Sequence, residues 1–280
     1  MPRSVLICVG RGAQREAHPM GYSTLGFQYD GHGIVTITLN VPEKRNAISS
    51  QMVAELLGAF QQAEDGPARV VILTGSGKAF CAGMDLGELQ ELGRETQEKN
   101  IEDARRLSKM LYRLYSFPKP VIAAVTGPAI AGGCMLATLA DFTVAVPEAK
   151  FGDPEVKLGF MPALVVVFLR RQIADRAARA LLLTGRIIGA TEAYRIGLVA
   201  EIASSEKLMD RAHEIAAELI TASPTSIART KTFMLGFDDA VLRAELEQAV
   251  NANADIRSTP DFKEGIASFL EKRSPTWTSE

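Results

Sequence analysis

The 280-residue sequence has few cysteines and histidines, and this scarcity excludes several classes of site. The three cysteines, Cys8, Cys81 and Cys134, are odd in number, widely spaced and form no Cys-x-x-Cys pair. They indicate neither a disulfide framework nor a zinc site, so a cytoplasmic location is expected. The three histidines, at residues 18, 32 and 213, lie too far apart in sequence to indicate a Ser-His-Asp triad or a metal cluster.

An excess of charge of one sign and a long apolar run are also missing. There are 31 Lys and Arg residues against 33 Asp and Glu residues, a net charge of −2, so nothing suggests a nucleic-acid partner. No apolar run approaches the roughly 20 residues that cross a bilayer, and no membrane partner is expected. Gly75-Ser76-Gly77-Lys78 has the wrong spacing for a phosphate-binding loop, and Ala79 stands where a magnesium-binding hydroxyl is needed.

Strand and helix patterns alternate along the chain as far as about residue 202. Strands are predicted at 33–40, 69–74, 121–125, 142–146 and 198–202, and helices at 49–63, 95–115, 163–173, 175–183 and 191–196. From residue 205 onward the pattern is helical only, at 207–222, 224–235, 239–253 and 260–271. Residues 1–22 fit neither pattern, and we expect a poorly ordered extension there. The sequence thus predicts an α/β core at 23–204 and a helical region at 205–280.

Two glycine-containing turns each follow a buried strand and open a helix. They are CAGMDL at 81–86 and AGGC at 131–134. The first N–H groups of a helix are free to face a ligand, and glycine lets that ligand come close. On adjacent strands, two such turns can aim two N–H groups at one point, which is the geometry of an oxyanion hole. Taken alone, each pattern is equally that of an ordinary tight turn.

One carboxylate, Glu155, stands in apolar surroundings a short way after the second turn. Burial among Phe151, Val156 and Leu158 should raise its pKa toward neutrality, where a group exchanges protons efficiently in both directions. Glu155 is therefore a candidate general acid/base. A surface glutamate is the alternative interpretation.

Several longer segments together resemble the crotonase superfamily, the enoyl-CoA hydratase/isomerase family. They follow the family's order, cover about residues 23–280, and read KRNAIS, VVILTGSGKAFCAGMDL, PVIAAVTGPAIAGGCMLATLADFTVA, AKFGDPEVKLGF, LLLTGRIIGATEAYRIGLVAEI and FLEKRSPTW. The resemblance implies a spiral of repeated ββα units with C-terminal helices that mediate trimerisation, often as a dimer of trimers. It also implies an acyl-CoA thioester substrate and no separate cofactor, because coenzyme A is part of that substrate.

The resemblance also implies roles for individual residues. The N–H groups of Met84 and Gly132 match the family's oxyanion pair, and Glu155 matches its second catalytic glutamate. Contacts with the substrate are expected from Arg45, Ala47, Ala82, Gly83, Asp85, Leu86, Gly133, Met135, Phe269 and Lys272. Ala82 would bind the adenine through its carbonyl, whereas Lys272 could equally be a solvated helix end.

The sequence departs from the family at Met135, where hydratases of the family carry their first glutamate. Methionine neither donates nor accepts the required proton, so the two-carboxylate route of water addition is in doubt. Double-bond isomerisation needs only one base, and decarboxylation or another enolate reaction is a further alternative. Asp153, Glu88 or Tyr115 could replace the missing acid.

The rival from another class is a non-catalytic acyl-CoA-binding protein. The acyl chain itself is not predicted, since its pocket would be built largely from the variable residues 86–115.

Overall fold

The architecture comes from a computed structural model, which describes residues 21–278. Most of the predicted N-terminal extension therefore lies outside the described residues. At its end, the Tyr22 hydroxyl donates a hydrogen bond to Gln62 at 2.9 Å. The backbone N–H and the hydroxyl of both Ser23 and Thr24 donate to Glu55, which fastens the start of the chain to the first helix.

Nine strands and eleven α-helices make up the described part of the chain. The strands are β1 (Leu25–Tyr29), β2 (Ile34–Leu39), β3 (Val70–Gly75), β4 (Val121–Val125), β5 (Ala129–Ile130), β6 (Phe142–Ala145), β7 (Lys150–Gly152), β8 (Ile188–Gly189) and β9 (Glu201–Ile202). The helices are α1 (Ser50–Asp65), α2 (Leu86–Leu92), α3 (Gln97–Tyr115), α4 (Gly132–Thr138), α5 (Ala163–Gln172), α6 (Asp175–Thr184), α7 (Ala190–Arg195), α8 (Leu208–Thr221), α9 (Pro224–Gly236), α10 (Asp239–Ile256) and α11 (Pro260–Leu270).

The strands form a six-stranded sheet and a separate three-stranded sheet. The larger sheet has the order β1-β2-β3-β4-β6-β9, in which β1 and β2 are antiparallel and the other neighbours are parallel. Its central strands are continuous apolar runs because helices cover both faces of a parallel sheet. The smaller sheet has the order β5-β7-β8. Strand β5 comes from the connection between β4 and β6, and β7 and β8 both come from the connection between β6 and β9.

This topology brings the two glycine turns together. The first turn follows β3 and the second follows β4, and these strands are parallel neighbours, with Leu73 opposite Ala123. The ends of parallel strands therefore place both turns at one edge of the sheet. An isolated bridge between Cys81 and Ala129 joins them directly.

The C-terminal helices share the core instead of forming a separate unit. Helix α8 packs against β3, β4 and β6, while α10 packs against α3 and α5. Helix α11 packs against α2 and a short 3-10 helix at Glu155–Leu158, and a small apolar cluster of Leu89, Phe262 and Ile266 fills this contact. Helix α9 is the exception, since none of its residues is buried. No helix within residues 21–278 is both long and apolar enough to cross a membrane.

Most of the predicted elements are present with ends shifted by a few residues. The strand predicted at 198–202 is wrong in length, because it is confined to Glu201–Ile202. The N–H groups of Leu198 and Val199 instead donate to the Ala193 carbonyl and close a turn after α7. Strands β1, β5, β7 and β8 were not predicted.

Candidate active site

Backbone hydrogen bonds fix the first glycine turn in place. The Ile48 N–H donates to the Gly83 carbonyl at 2.7 Å, and the Asp85 N–H donates to the Ile48 carbonyl at 2.9 Å. Both bonds flank Met84 without using its amide. The Met84 N–H therefore points away from this bridge and has no hydrogen-bond partner within residues 21–278.

The second turn leaves an equivalent free amide at Gly132. The Ala131 N–H donates to the Gly152 carbonyl at 2.8 Å, and Gly132 then begins α4, where the first amides have no partner in the helix. No other described residue accepts from the Gly132 N–H. A Cβ added at Gly132 would lie 3.8 Å from the Met84 sulfur, so the two residues with free amides are near neighbours.

Close approach explains why the turns contain glycine. A Cβ at Gly133 would lie 2.3 Å from the Cys81 carbonyl oxygen, which is far inside any allowed contact. Gly83 has φ +94°, a left-handed conformation that side chains disfavour. Ala131 adopts φ 51° and ψ −126°, a strained backbone for a residue with a Cβ.

A cavity of about 180 Å³ opens beside the two free amides. Predicted site residues that line it are Ala82, Met84, Leu86, Gly132, Met135, Glu155 and Phe269. Helices α2, α3, α5 and α11 supply half of the remaining lining residues, and all of these are apolar. Among the described lining residues, only Glu155 and Asn253 have polar side chains. A larger surface groove of about 790 Å³ along α5 and α6 contains none of the predicted site residues.

Glu155 has the environment of a tuned acid or base. It begins the 3-10 helix, is 7% exposed, and its Oε2 atom has no hydrogen-bond partner within the described chain. Burial raises its pKa to about 7, since the carboxylate loses the water that would stabilise its charge. The rise in pKa that the apolar flanks predict is confirmed.

Asp153 is a second buried carboxyl group, two residues before Glu155. It is fully buried and does not line the cavity. The Cys134 thiol is its neighbour, but neither carboxyl oxygen has a hydrogen bond of regular geometry to a described residue. Burial, with a further contribution from the charge of Glu155, raises the pKa of Asp153 well above its usual range.

None of the candidates for the missing acid faces the cavity. Met135 itself is 1% exposed and lines it, where the first glutamate was expected by resemblance. Glu88 accepts hydrogen bonds from the N–H and hydroxyl of Ser50, and Tyr115 packs against Phe168 with ring centroids 5.4 Å apart. Neither these two residues nor Asp153 is among the lining residues.

The remaining predicted residues lie outside the cavity, and their contacts with coenzyme A stay predictions. Asp85 accepts from the Gly87 N–H at 2.9 Å as the cap of α2, and it pairs with Lys44. Arg45 is exposed with φ 53°, and its carbonyl accepts from Ala82. Four further predicted residues also lie outside the cavity. Ala47 is in the loop after β2, Gly83 and Gly133 are within the turns, and Lys272 is exposed beyond α11.

Asn253 on α10 lines the cavity and was not predicted from the sequence. It belongs to no motif, and a single asparagine in a helix is most often a surface residue. The available signal was its position among the apolar residues Ala249, Val250 and Ala254, which form the buried face of α10.

Comparisons with known proteins agree with this geometry. A profile of the family described as Enoyl-CoA hydratase/isomerase matches residues 30–280. The chain is 44% identical over 246 residues to a Thermus thermophilus protein named for enoyl-CoA hydratase, covering 88% of this chain and 97% of the other. It is 33% identical over 258 residues to the 1,2-epoxyphenylacetyl-CoA isomerase of Escherichia coli, covering 89% and 96%. The crystal structure of an enoyl-CoA hydratase/isomerase from Xanthobacter autotrophicus superimposes with a TM-score of 0.83 at 30% identity, covering 90% and 94%. The expected crotonase fold is thereby confirmed, and the chain belongs to the enoyl-CoA hydratase/isomerase family.

Proposed function

We propose that this enzyme shifts the double bond of an enoyl-CoA thioester through an enolate, with Glu155 as its one general acid/base. The observation that carries the proposal is that Glu155 is the single titratable side chain among the described residues lining the cavity. One carboxylate is sufficient to take a proton from one carbon and return it to another. Addition of water by the family's two-carboxylate route needs a second group where Met135 stands.

The two free amides have a direct role in this reaction. The thioester oxygen would accept hydrogen bonds from the N–H groups of Met84 and Gly132. Negative charge grows on that oxygen as the enolate forms, and each fixed donor typically lowers the barrier by roughly 2.7–4 kcal/mol. Glu155 would remove a proton from C2 of a 3-enoyl-CoA and deliver it to C4, which leaves the double bond between C2 and C3.

The pKa of Glu155, raised to about 7 by burial, suits this proton transfer. A base must be ionised to accept the first proton, and the resulting acid must release it again. Both steps are efficient when the pKa lies near the working pH. No cofactor beyond the coenzyme A of the substrate is part of this proposal.

The coenzyme A portion would lie along the exposed edge of the first turn. We assign contacts there to Arg45, Ala47, Ala82, Gly83, Asp85 and Leu86, and to Gly133, Phe269 and Lys272. Phe269 supports this assignment, because it lines the cavity while 56% of its surface is exposed. It therefore belongs to the rim where an extended ligand would leave the apolar interior.

We also infer assembly as a homotrimer or a dimer of trimers. The support is an unpartnered apolar patch on and after α9, which consists of Phe233, Met234, Phe237 and Val241. All four side chains are more than half exposed, and a contiguous patch of this kind marks a protein interface.

Cys81 and Cys134 are free and buried, which fits a reducing compartment such as the cytoplasm.

Hydration is the second candidate reaction. It is favoured by the hydratase name of the Thermus thermophilus relative. In that case Glu155 alone would both activate the water and protonate C2.

Product analysis in deuterated water tests these alternatives. We expect wild-type protein to convert trans-3-hexenoyl-CoA to the 2-enoyl isomer, with deuterium at C4, the carbon that Glu155 protonates, and to form little 3-hydroxyacyl-CoA. The Met135→Glu variant should gain hydratase activity on crotonyl-CoA because it restores the second carboxylate. If the wild type adds water without shifting the double bond, the reaction is hydration and the proposal of isomerisation is wrong. Binding without any deuterium exchange would make the protein a non-catalytic acyl-CoA binder.

A further inference from the structure

The acyl cavity contains one polar side chain that the proposed reaction does not use. Asn253 lies on α10, is 4% exposed and lines the same cavity as Glu155. The other lining side chains within the described chain are apolar. An unbranched alkyl chain would be held as well by leucine at this position, without burying an amide.

The orientation of the Asn253 amide follows from its partner. Arg257 Nη2 donates to Asn253 Oδ1 at 2.8 Å. A guanidinium group has donors only, so the atom facing it must be the amide oxygen. The amide nitrogen carries the two remaining donors, and it has no acceptor within residues 21–278.

Arg257 is itself rigidly held in the interior. It is 1% exposed, and its Nη1 donates to Asp103 at 2.9 Å and to Asn100 at 3.2 Å. These contacts tie α10 to α3 and fix the guanidinium behind the amide oxygen. A cation on the oxygen polarises an amide and strengthens its N–H donors.

We propose that Asn253 is a specificity-determining residue whose amide N–H group binds an oxygen acceptor on the acyl group of the substrate. The inference rests on the proposed function, since it places an acyl group in this cavity. The substrate class is then a short enoyl-CoA that bears a hydroxyl, carbonyl or carboxylate oxygen away from the thioester. A cavity of about 180 Å³ suits a short acyl group.

Binding of saturated analogues tests this inference separately from turnover. The ligands are hexanoyl-CoA, 5-hydroxyhexanoyl-CoA, 6-hydroxyhexanoyl-CoA, 5-oxohexanoyl-CoA and adipoyl-CoA, measured by isothermal titration calorimetry. We expect at least one oxygenated ligand to bind wild-type protein roughly tenfold more tightly than hexanoyl-CoA, as one buried hydrogen bond can supply. The ligand that does so identifies the acceptor as a hydroxyl, a ketone or a carboxylate.

Two variants locate the effect at the amide. Asn253→Leu should bind hexanoyl-CoA normally and lose the preference for the oxygenated ligand. Asn253→Asp keeps an oxygen for Arg257 and removes the N–H donors, so binding of the ketone and of adipoyl-CoA should fall while a hydroxyl ligand can still donate to Asp. Asn100→Leu is the control, because it weakens the hold on Arg257 without altering a lining residue; the preference should survive in it.

Two results would overturn the inference: equal binding of hexanoyl-CoA and all oxygenated ligands, or an unchanged preference in Asn253→Leu. Failure of the proposed function is a different result. In that case wild-type protein would prefer an oxygenated ligand but catalyse no exchange of the protons of a 3-enoyl-CoA that carries the same oxygen.

Discussion

Burial of Glu155 affects stability as well as the proposed chemistry. Its pKa is raised from 4.5 to about 7, so the folded protein holds this proton more tightly than the unfolded chain does. Between these two pH values the unfolded state therefore binds fewer protons than the native state, and stability falls as the pH rises. The stabilising effect of the proton is complete below about pH 4.5 and is lost above about pH 7.

The Glu155→Gln variant should separate the two effects. Glutamine cannot ionise, so this variant should lose turnover, keep affinity for coenzyme A ligands and become more stable at pH 8 by up to roughly 3 kcal/mol. The gain should shrink as the pH falls from 7 to 4.5. Urea unfolding at several pH values and a turnover assay measure both effects. Retained turnover would remove Glu155 from the mechanism, and equal stability at pH 8 would contradict its raised pKa.

At the scale of elements, the contact between the two glycine turns sets the geometry of the free amides. Gly133 is in contact with the backbone of the Cys81 turn, where a Cβ would lie 2.3 Å from the Cys81 oxygen. At Gly132 the nearest atom to an added Cβ is the Ile48 Cδ1 atom at 3.0 Å, the end of a side chain that can move. The two neighbouring glycines therefore differ in what a methyl group would displace.

We expect Gly133→Ala to lower the free energy of unfolding by about 1–3 kcal/mol, because backbone atoms must shift to accept the methyl group. Gly132→Ala is the matched control and should cost clearly less. Thermal unfolding of both variants measures the difference. An equal loss in the two variants would mean that the contact with Cys81 does not determine the effect.

The sequence predicts long elements better than short ones. Continuous apolar runs identify β3 and β4, and regular spacing identifies α3 and α10. Strands of two or three residues, such as β5, β7 and β8, contain too few positions for any periodicity, and they exist only because the turns bring them together. For the candidate site, the resemblance assigns roles to Met84, Gly132 and Glu155 by motif. Asn253 could not be located in this way, since its role depends on a partner, Arg257, and on the packing of α10 against α3.

At the scale of the whole molecule, the apolar patch of Phe233, Met234, Phe237 and Val241 is the surface that the proposed assembly would bury. The rings of Phe233 and Phe237 pack edge to face, with centroids 4.9 Å apart, and both are at least 70% exposed. The helix that carries Phe233, α9, has no buried residue of its own. Assembly of subunits would remove this surface from water and stabilise the helix.

Phe237→Glu should therefore dissociate the proposed oligomer, because a charge would be buried without a partner in the proposed interface. Light scattering coupled to size-exclusion chromatography measures the mass of the variant and of the wild type. Tyr194→Glu is the control, since Tyr194 is also exposed, at 55%, but belongs to α7. A wild-type monomer, or a Phe237→Glu variant of unchanged mass, would contradict the proposed interface.

The bridge between Cys81 and Ala129 has a consequence for the order of folding. The two residues are joined across a complete helical crossover, and such non-local contacts form slowly because a long loop must close first. Met84 and Gly132 can come together only after β3 and β4 have paired. The proposed oxyanion site should accordingly form late in folding, together with the central parallel sheet.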